Sequence, residues 1–277
     1  MQVVASFAED HAWWAQKWSE RAKARSGAQK WSERANARSG APAASKINVA
    51  EHRAASFVIS SSSDASLLCV LDGGDCGWSR GSLAVKSHFR SMIMKAWATS
   101  TGDALSRLGL FEKISIDLCD WIKATTPDWE QLTGDGLEEI AGTPWAIFAA
   151  AIIVGDTAAA GWIGPEVVQL RRNGGKIAAT LPHSLYQDYK TASGKSDAEM
   201  GDFPHPHVWI RRISPPQPTN MSTQSLGHVA RGDVIAILDW NCEKYLAAAG
   251  TQDATTSVTM ARTNGADSAR ALVATIY

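Results

Sequence analysis

A chain of 277 residues with 45% hydrophobic content is long enough to bury a substantial core and too apolar to be disordered throughout. Its formal net charge of −1 gives no electrostatic reason to bind nucleic acid or an anionic membrane, although residues 1–40 are locally rich in lysine and arginine. Cys69, Cys76, Cys119 and Cys242 form no Cys-x-x-Cys pair and no zinc spacing, so they read as free thiols of a reducing compartment. The first residues lack a signal pattern, and the longest apolar run, Trp145 to Val154, is too short to cross a bilayer. The expectation is a cytoplasmic protein with no membrane and no nucleic-acid partner.

In chain order, residues 15–27 and 28–40 are tandem copies that differ only at Lys23 and Asn36. Each copy is helix-friendly and ends in Ser-Gly, a helix stop. Two copies are too few for a solenoid, and a duplication tolerated in a tail explains them; a basic docking helix using Trp18 and Trp31 is the alternative. Residues 1–46 are therefore expected to be a helical or flexible extension, and 47–277 a domain. Short strands are predicted at Ser56–Ser60 and Leu67–Leu71. Leu83, Phe89, Ile93 and Trp97 mark a helix over Ser82–Ala98, and a second helix spans Ala104–Ile122. A polar loop, 125–142, precedes a meander of strands at Trp145–Val154, Ala158–Ile163, Val167–Arg172 and Lys176–Ala179, with turns at Gly155-Asp156 and Asn173-Gly174-Gly175. Residues 183–206 read as irregular or partly helical. His207–Ile213 alternates as a strand would before Pro215, Pro216 and Pro218. A strand at Val234–Leu238, a helix at Glu243–Ala261 and a strand at Ala269–Ile276 close the chain. The pattern is α+β, with helices layered on antiparallel sheets.

Three carboxylates stand at the edges of predicted strands: Asp72 after Leu67–Leu71, Asp239 after Val234–Leu238, and Asp267 before the last strand. Aspartates remote in sequence and gathered by sheets make an oxygen site for a hard divalent ion. Each also has a plainer role. Asp72 in Asp-Gly suits a turn, Asp267 can end a loop, Glu243 can complement a helix dipole, and Asp75 reads as a solvated loop carboxylate. His205, between Pro204 and Pro206, marks a rigid loop.

Over residues 49–277 the order of these blocks resembles the PP2C (PPM) family of metal-dependent protein phosphatases. Leu67–Gly74 is similar to its strand-Asp-Gly block, and Gly142-Thr143 to its Gly-Thr-Thr. Trp162-Ile163-Gly164 with Leu170–Gly174 is similar to its Gly-Asp-Ser-Arg hairpin, and Thr180–Leu185 to Thr-x-Asp-His-Ser-Leu. Phe203–Arg212 resembles the segment before its variable loop. Gly232–Asp239 resembles the Ser-Asp-Gly block and Gly265–Ala269 the Asp-Asn-x-Thr block. The resemblance implies a four-layer αββα sandwich, two antiparallel sheets flanked by helices. It implies hydrolysis of phosphoserine and phosphothreonine by metal-activated water, with no protein nucleophile, on a phosphorylated protein substrate or partner. It implies Mg or Mn, one or two ions, held by Asp72, the Gly73 carbonyl, Asp239 and Asp267, with Glu243 as an accessory carboxylate and Arg53 as a phosphate contact.

The departures are as informative. Ala55 falls where the family has the aspartate of a second metal position. Gly74–Trp78 replaces the Gly-Gly-His turn, Pro165 and Pro182 each replace an aspartate, and Trp240 replaces a glycine. One ion is then expected rather than two, with slow or absent turnover. The alternative function is a pseudophosphatase that binds phosphoproteins or regulators.

Overall fold

The computed structural model describes residues 2–9, 55–74, 80–126, 144–201, 211–216, 218–239, 242, 254–264 and 269–277. Strands β1 (Val3–Glu9), β2 (Phe57–Ser61) and β3 (Ala65–Gly74) precede helices α1 (Arg80–Trp97) and α2 (Ala104–Thr125). Then come β4 (Trp145–Val154), β5 (Thr157–Ile163), β6 (Val167–Arg172) and β7 (Gly175–Ala179), followed by the short helices α3 (Leu185–Ser193) and α4 (Asp197–Met200). Strands β8 (Ser222–His228) and β9 (Val234–Leu238), helix α5 (Ala254–Thr263) and β10 (Arg270–Ile276) complete the order.

The strands form two antiparallel five-stranded sheets, β1-β10-β9-β6-β7 and β2-β3-β4-β5-β8. Helices α1 and α2 cover the outer face of the second sheet, and α5 covers the outer face of the first. The result is the expected αββα sandwich.

Side-chain alternation builds its layers. On β3, Leu67, Cys69 and Leu71 face the helices, whereas Leu68 and Val70 point between the sheets. On β10, Leu272, Ala274 and Ile276 point between the sheets, and Ala271 and Val273 pack on α5. Strand β4, buried on both faces, carries apolar residues at every position, which is why it reads as a continuous run rather than an alternation.

Helix α2 starts where Asp103 accepts the Ser106 N–H at 2.7 Å. It buries Ala104, Leu108, Phe111, Ile114, Leu118 and Ile122, a three-four spacing on one face. Each large side chain of that row contributes on the order of 2 kcal/mol. Phe111 stacks on Phe148 of β4 at 4.7 Å. The small residues of β5 let the helix come close. A Cβ at Gly161 would lie 2.9 Å from the Leu108 side chain.

Two strands differ from the sequence reading. Val3–Glu9, placed above in a helical or flexible extension, is an edge strand paired with β10 from Val3↔Ile276 to Glu9↔Arg270. Its partner is the last strand of the chain, so no local pattern announces the pairing. Ser222–His228 pairs with β5 and was not predicted, because a polar edge strand that buries only Leu226 lacks the apolar alternation. Ile213 makes only an isolated bridge to Ala146, and the rest of the predicted strand at 207–213 lies mostly outside the described residues. So do the tandem copies, most of the 125–142 loop, and the first half of the predicted helix at 243–261.

Candidate active site at one end of the sandwich

The inward rows of four strands end in charge at the same end of the sandwich. Leu68 and Val70 lead to Asp72, Val168 and Leu170 lead back to Glu166, Ile235 and Ile237 lead to Asp239, and Leu272 is preceded by Arg270. Within the first sheet, β6 and β9 pair as Val167↔Leu238, so Glu166 and Asp239 face each other one step beyond that pair. Strands β10 and β9 pair as Ala271↔Leu238, so Arg270 flanks Asp239 on the other side, and the Asp239 N–H donates to the Arg270 carbonyl at 3.0 Å. Asp72 comes from the facing sheet.

Arg270 ties the two sheets together. Its Nη2 donates to Asp72 Oδ2 at 2.8 Å, its Nη1 donates to the Leu71 carbonyl at 3.2 Å, and Glu166 Oε1 is 3.7 Å from Nη2. Asp72 Oδ1 accepts the Gly73 N–H at 2.8 Å. A second cation approaches from α1, where the buried Lys86 ammonium donates to Ser56 Oγ at 3.0 Å. Burial pushes the Asp72 carboxyl up, but the Arg270 and Lys86 charges, with the hydrogen bonds from Arg270 and Gly73, hold it below the usual carboxylate range.

Glu166 has the opposite balance. Its side chain is 2% exposed, and Oε2 has no hydrogen-bond partner. Burial raises its pKa to about 7; Arg270 opposes the rise, and the charges of Asp72 and Asp239 add to it. Asp239 is also buried, and its Oδ1 accepts the Cys242 N–H at 3.0 Å.

Two glycines make this geometry possible. A Cβ at Gly73 would lie 3.0 Å from the Trp145 carbonyl oxygen and 3.2 Å from Val85 Cγ1, so its absence lets α1 bring Lys86 in. Gly164 has φ +135°, and a Cβ there would lie 2.7 Å from Glu166 Oε2. Its N–H donates to His183 Nδ1 at 3.3 Å and its carbonyl accepts the His183 N–H at 2.9 Å. Burial, then the Arg211 charge, lowers the His183 pKa to about 4. Nε2 lies 2.8 Å from Ser222 Oγ and 3.4 Å from Arg211 Nη1. The ring, bonded on both sides, braces the 164 turn.

Of the residues singled out from sequence, the structure brings Asp72 and Asp239 to one end, with Gly73 beside them. Asp267, Glu243 and Arg53 lie outside the described residues. Sequence reasoning passed over Glu166, Arg270 and Lys86. The signal for the first two was present, since each continues an alternating inward row, Glu166-Val168-Leu170 and Arg270-Leu272-Ala274.

The side chains gathered at this end are oxygen donors of the type that hard divalent ions take, with Arg270 among them. Carboxylate oxygens of Asp72 and Asp239 stand near a buried, unpartnered oxygen of Glu166. On the α1 side Ala55 brings no side-chain oxygen, and the ammonium of Lys86 is bonded to the next residue, Ser56. Among the described residues no three His, Cys, Asp or Glu side chains are already arranged around a metal position.

No protein-family model matches the chain, and no curated protein matches it. Solved structures do. The S. agalactiae serine/threonine phosphatase aligns over 100% of both chains with a TM-score of 0.65 and 14% identity. The Mycobacterium tuberculosis serine/threonine phosphatase PstP/Ppp aligns over 100% of this chain and 99% of its own, with a TM-score of 0.60 and 12% identity. The catalytic domain of PstP in complex with two manganese ions aligns over 99% of this chain and 97% of its own, with a TM-score of 0.53 and 12% identity. The chain has the fold of the PPM/PP2C-type serine/threonine phosphatases. At these identities the likeness is one of fold, and what the site does rests on its own residues.

Proposed function

We propose that this chain is a divergent metal-dependent phosphoprotein phosphatase that hydrolyses phosphoserine and phosphothreonine monoesters. One Mg²⁺ or Mn²⁺ held by Asp72, Asp239, Asp267 and the Gly73 carbonyl would supply charge neutralisation and water activation. The observation that supports this reading is the convergence of Asp72 and Asp239, from facing sheets, beside the buried Glu166 in a phosphatase fold. The chain's own residues keep Asp72 ionised through Arg270 and Lys86 and keep a proton on Glu166 up to near neutrality. In this proposal Arg53 contacts phosphate and Glu243 is an accessory carboxylate. The setting is cytoplasmic signalling; among the described residues no helix is long and apolar enough to cross a membrane.

The test is turnover of para-nitrophenyl phosphate and a phosphothreonine peptide, with and without Mn²⁺. Hydrolysis that needs the ion and disappears in Asp239→Ala is the expected result. A second reading, a pseudophosphatase that binds phosphoproteins, is favoured by the Arg270–Asp72 ion pair and by Ala55. Absence of turnover together with calorimetric binding of the phosphopeptide would select it.

A further inference from the structure

The geometry points to Arg270 and Lys86 as resident counter-cations of this carboxylate cluster, with Arg270 acting as a latch that a divalent ion must displace to reach Asp72. The inference rests on the reading of Asp72 and Asp239 as the ion-facing carboxylates, and it does not require turnover.

Sheet register sets the problem that the cations solve. Glu166 and Asp239 are opposed carboxyl groups at the end of β6 and β9, and Asp72 adds a third from the facing sheet. Opposed like charges are unfavourable, and buried ones need a counter-charge. Arg270, one strand over from Asp239, provides it at 2.8 Å from Asp72 Oδ2 and 3.7 Å from Glu166 Oε1. Its guanidinium cannot shed its proton to make room, and the bond from Nη1 to the Leu71 carbonyl fixes it between the sheets. Lys86, 3% exposed and held by Ser56, places a second positive charge on the α1 side of the same carboxylate.

Both Asp72 oxygens are therefore engaged, Oδ2 by Arg270 and Oδ1 by the Gly73 N–H. A divalent ion bonded to Oδ2 shares that oxygen with the Arg270 N–H, and it meets two fixed positive charges. Glu166 Oε2, a buried oxygen without a hydrogen-bond partner among the described residues, is walled in by Gly164 and is not an open entry point. Arg270 thus occupies the electrostatic position of a metal, and Lys86 stands on the Ala55–Ser56 side, where no carboxylate is present among the described residues.

The test is calorimetric titration of the full chain with MnCl₂, paired with thermal unfolding in EDTA and in Mn²⁺. The wild-type chain is expected to bind Mn²⁺ weakly and to unfold at nearly the same temperature in both buffers. Arg270→Ala should bind Mn²⁺ at least tenfold more tightly and gain a Tm increase from the ion. Arg270→Gln keeps an N–H donor for Asp72 and the Leu71 carbonyl, and it serves as the variant if Arg270→Ala does not fold. Lys86→Gln should give a smaller gain in the same direction. Micromolar Mn²⁺ binding by the wild-type chain, or no gain in either Arg270 variant, overturns the latch. The two proposals fail separately. Tight Mn²⁺ binding with hydrolysis by the wild type removes the latch and keeps the phosphatase. A gain of Mn²⁺ binding in Arg270→Gln without hydrolysis by any form keeps the latch and removes the phosphatase.

Discussion

Strands β6 and β9 carry charge at both ends of their pairing, and the two ends are arranged oppositely. One step beyond Arg171↔Val234, Arg172 meets Asp233. Arg172 Nε donates to Oδ1 at 2.8 Å, Nη2 donates to Oδ2 at 2.6 Å, and the Ala230 N–H adds a bond to Oδ2 at 2.8 Å. Opposite charges face each other, Arg172 is 44% exposed to water, and the carboxylate is fully engaged. That end closes the sheet. At the other end, one step beyond Val167↔Leu238, two buried carboxylates face each other, and one keeps an oxygen without a partner. Among the described residues, Arg270 from the neighbouring strand offsets the charge. A strand pair built for stability alone would resemble the first end; the second end gathers buried carboxyl groups whose repulsion needs a counter-charge.

Removing the bridging cation should break this contrast most strongly. Arg270→Leu leaves buried carboxylates without their counter-charge, and urea unfolding should show a loss of about 3–5 kcal/mol. Gly164→Ala should follow. Its Cβ would press on Glu166 Oε2 from a backbone angle that favours glycine, and a loss of about 3 kcal/mol is expected in the same measurement.

Glu166→Gln sharpens the comparison through pH. The folded-state pKa of about 7 lies above the ordinary glutamate value of 4.5, so the native state holds this proton more tightly than the unfolded chain. Stability therefore falls as pH rises from about 4.5 through about 7. The variant should remove that slope and exceed the wild type by roughly 2–3 kcal/mol at pH 8, read by urea unfolding at pH 5 and pH 8. A variant less stable than wild type at pH 8 would contradict the assignment.

The smallest effect belongs to the satisfied end. The hydrogen bonds from Arg172, with its charge and the Ala230 N–H, outweigh burial and lower the Asp233 pKa. Its contribution is present above the unfolded carboxyl's pKa and is lost as pH falls through the lower folded value. Asp233→Asn should cost about 1 kcal/mol near neutrality, given the exposed guanidinium, and should flatten the acid limb of Tm between pH 3 and pH 6.

Local pattern carried much of this architecture. Val167–Arg172 and Val234–Leu238 have the bounds expected from sequence, and α1 and α2 follow the helical spacing of Leu83 to Trp97 and of Ala104 to Ile122. Asp72 and Asp239 were legible as acids that end buried strands. Strands β1 and β8 were not, because the first depends on a partner at the far end of the chain, Val3 against Ile276, and the second is a polar edge. Glu166 was passed over because the neighbouring Pro165 drew the comparison with a motif away from the alternation that points Glu166 inward.

What the sequence determined by itself is the set of elements and the parity that sends Asp72, Glu166, Asp239 and Arg270 to inward faces, since alternation along a strand is local. What only the tertiary structure decided is which charges meet. The pairing of β6 with β9, of β9 with β10, and of that sheet over β3 brings an arginine near the end of the chain against an aspartate 198 residues earlier. A carboxylate's chemistry is set by the charges around it, and those neighbours come from register and layer packing.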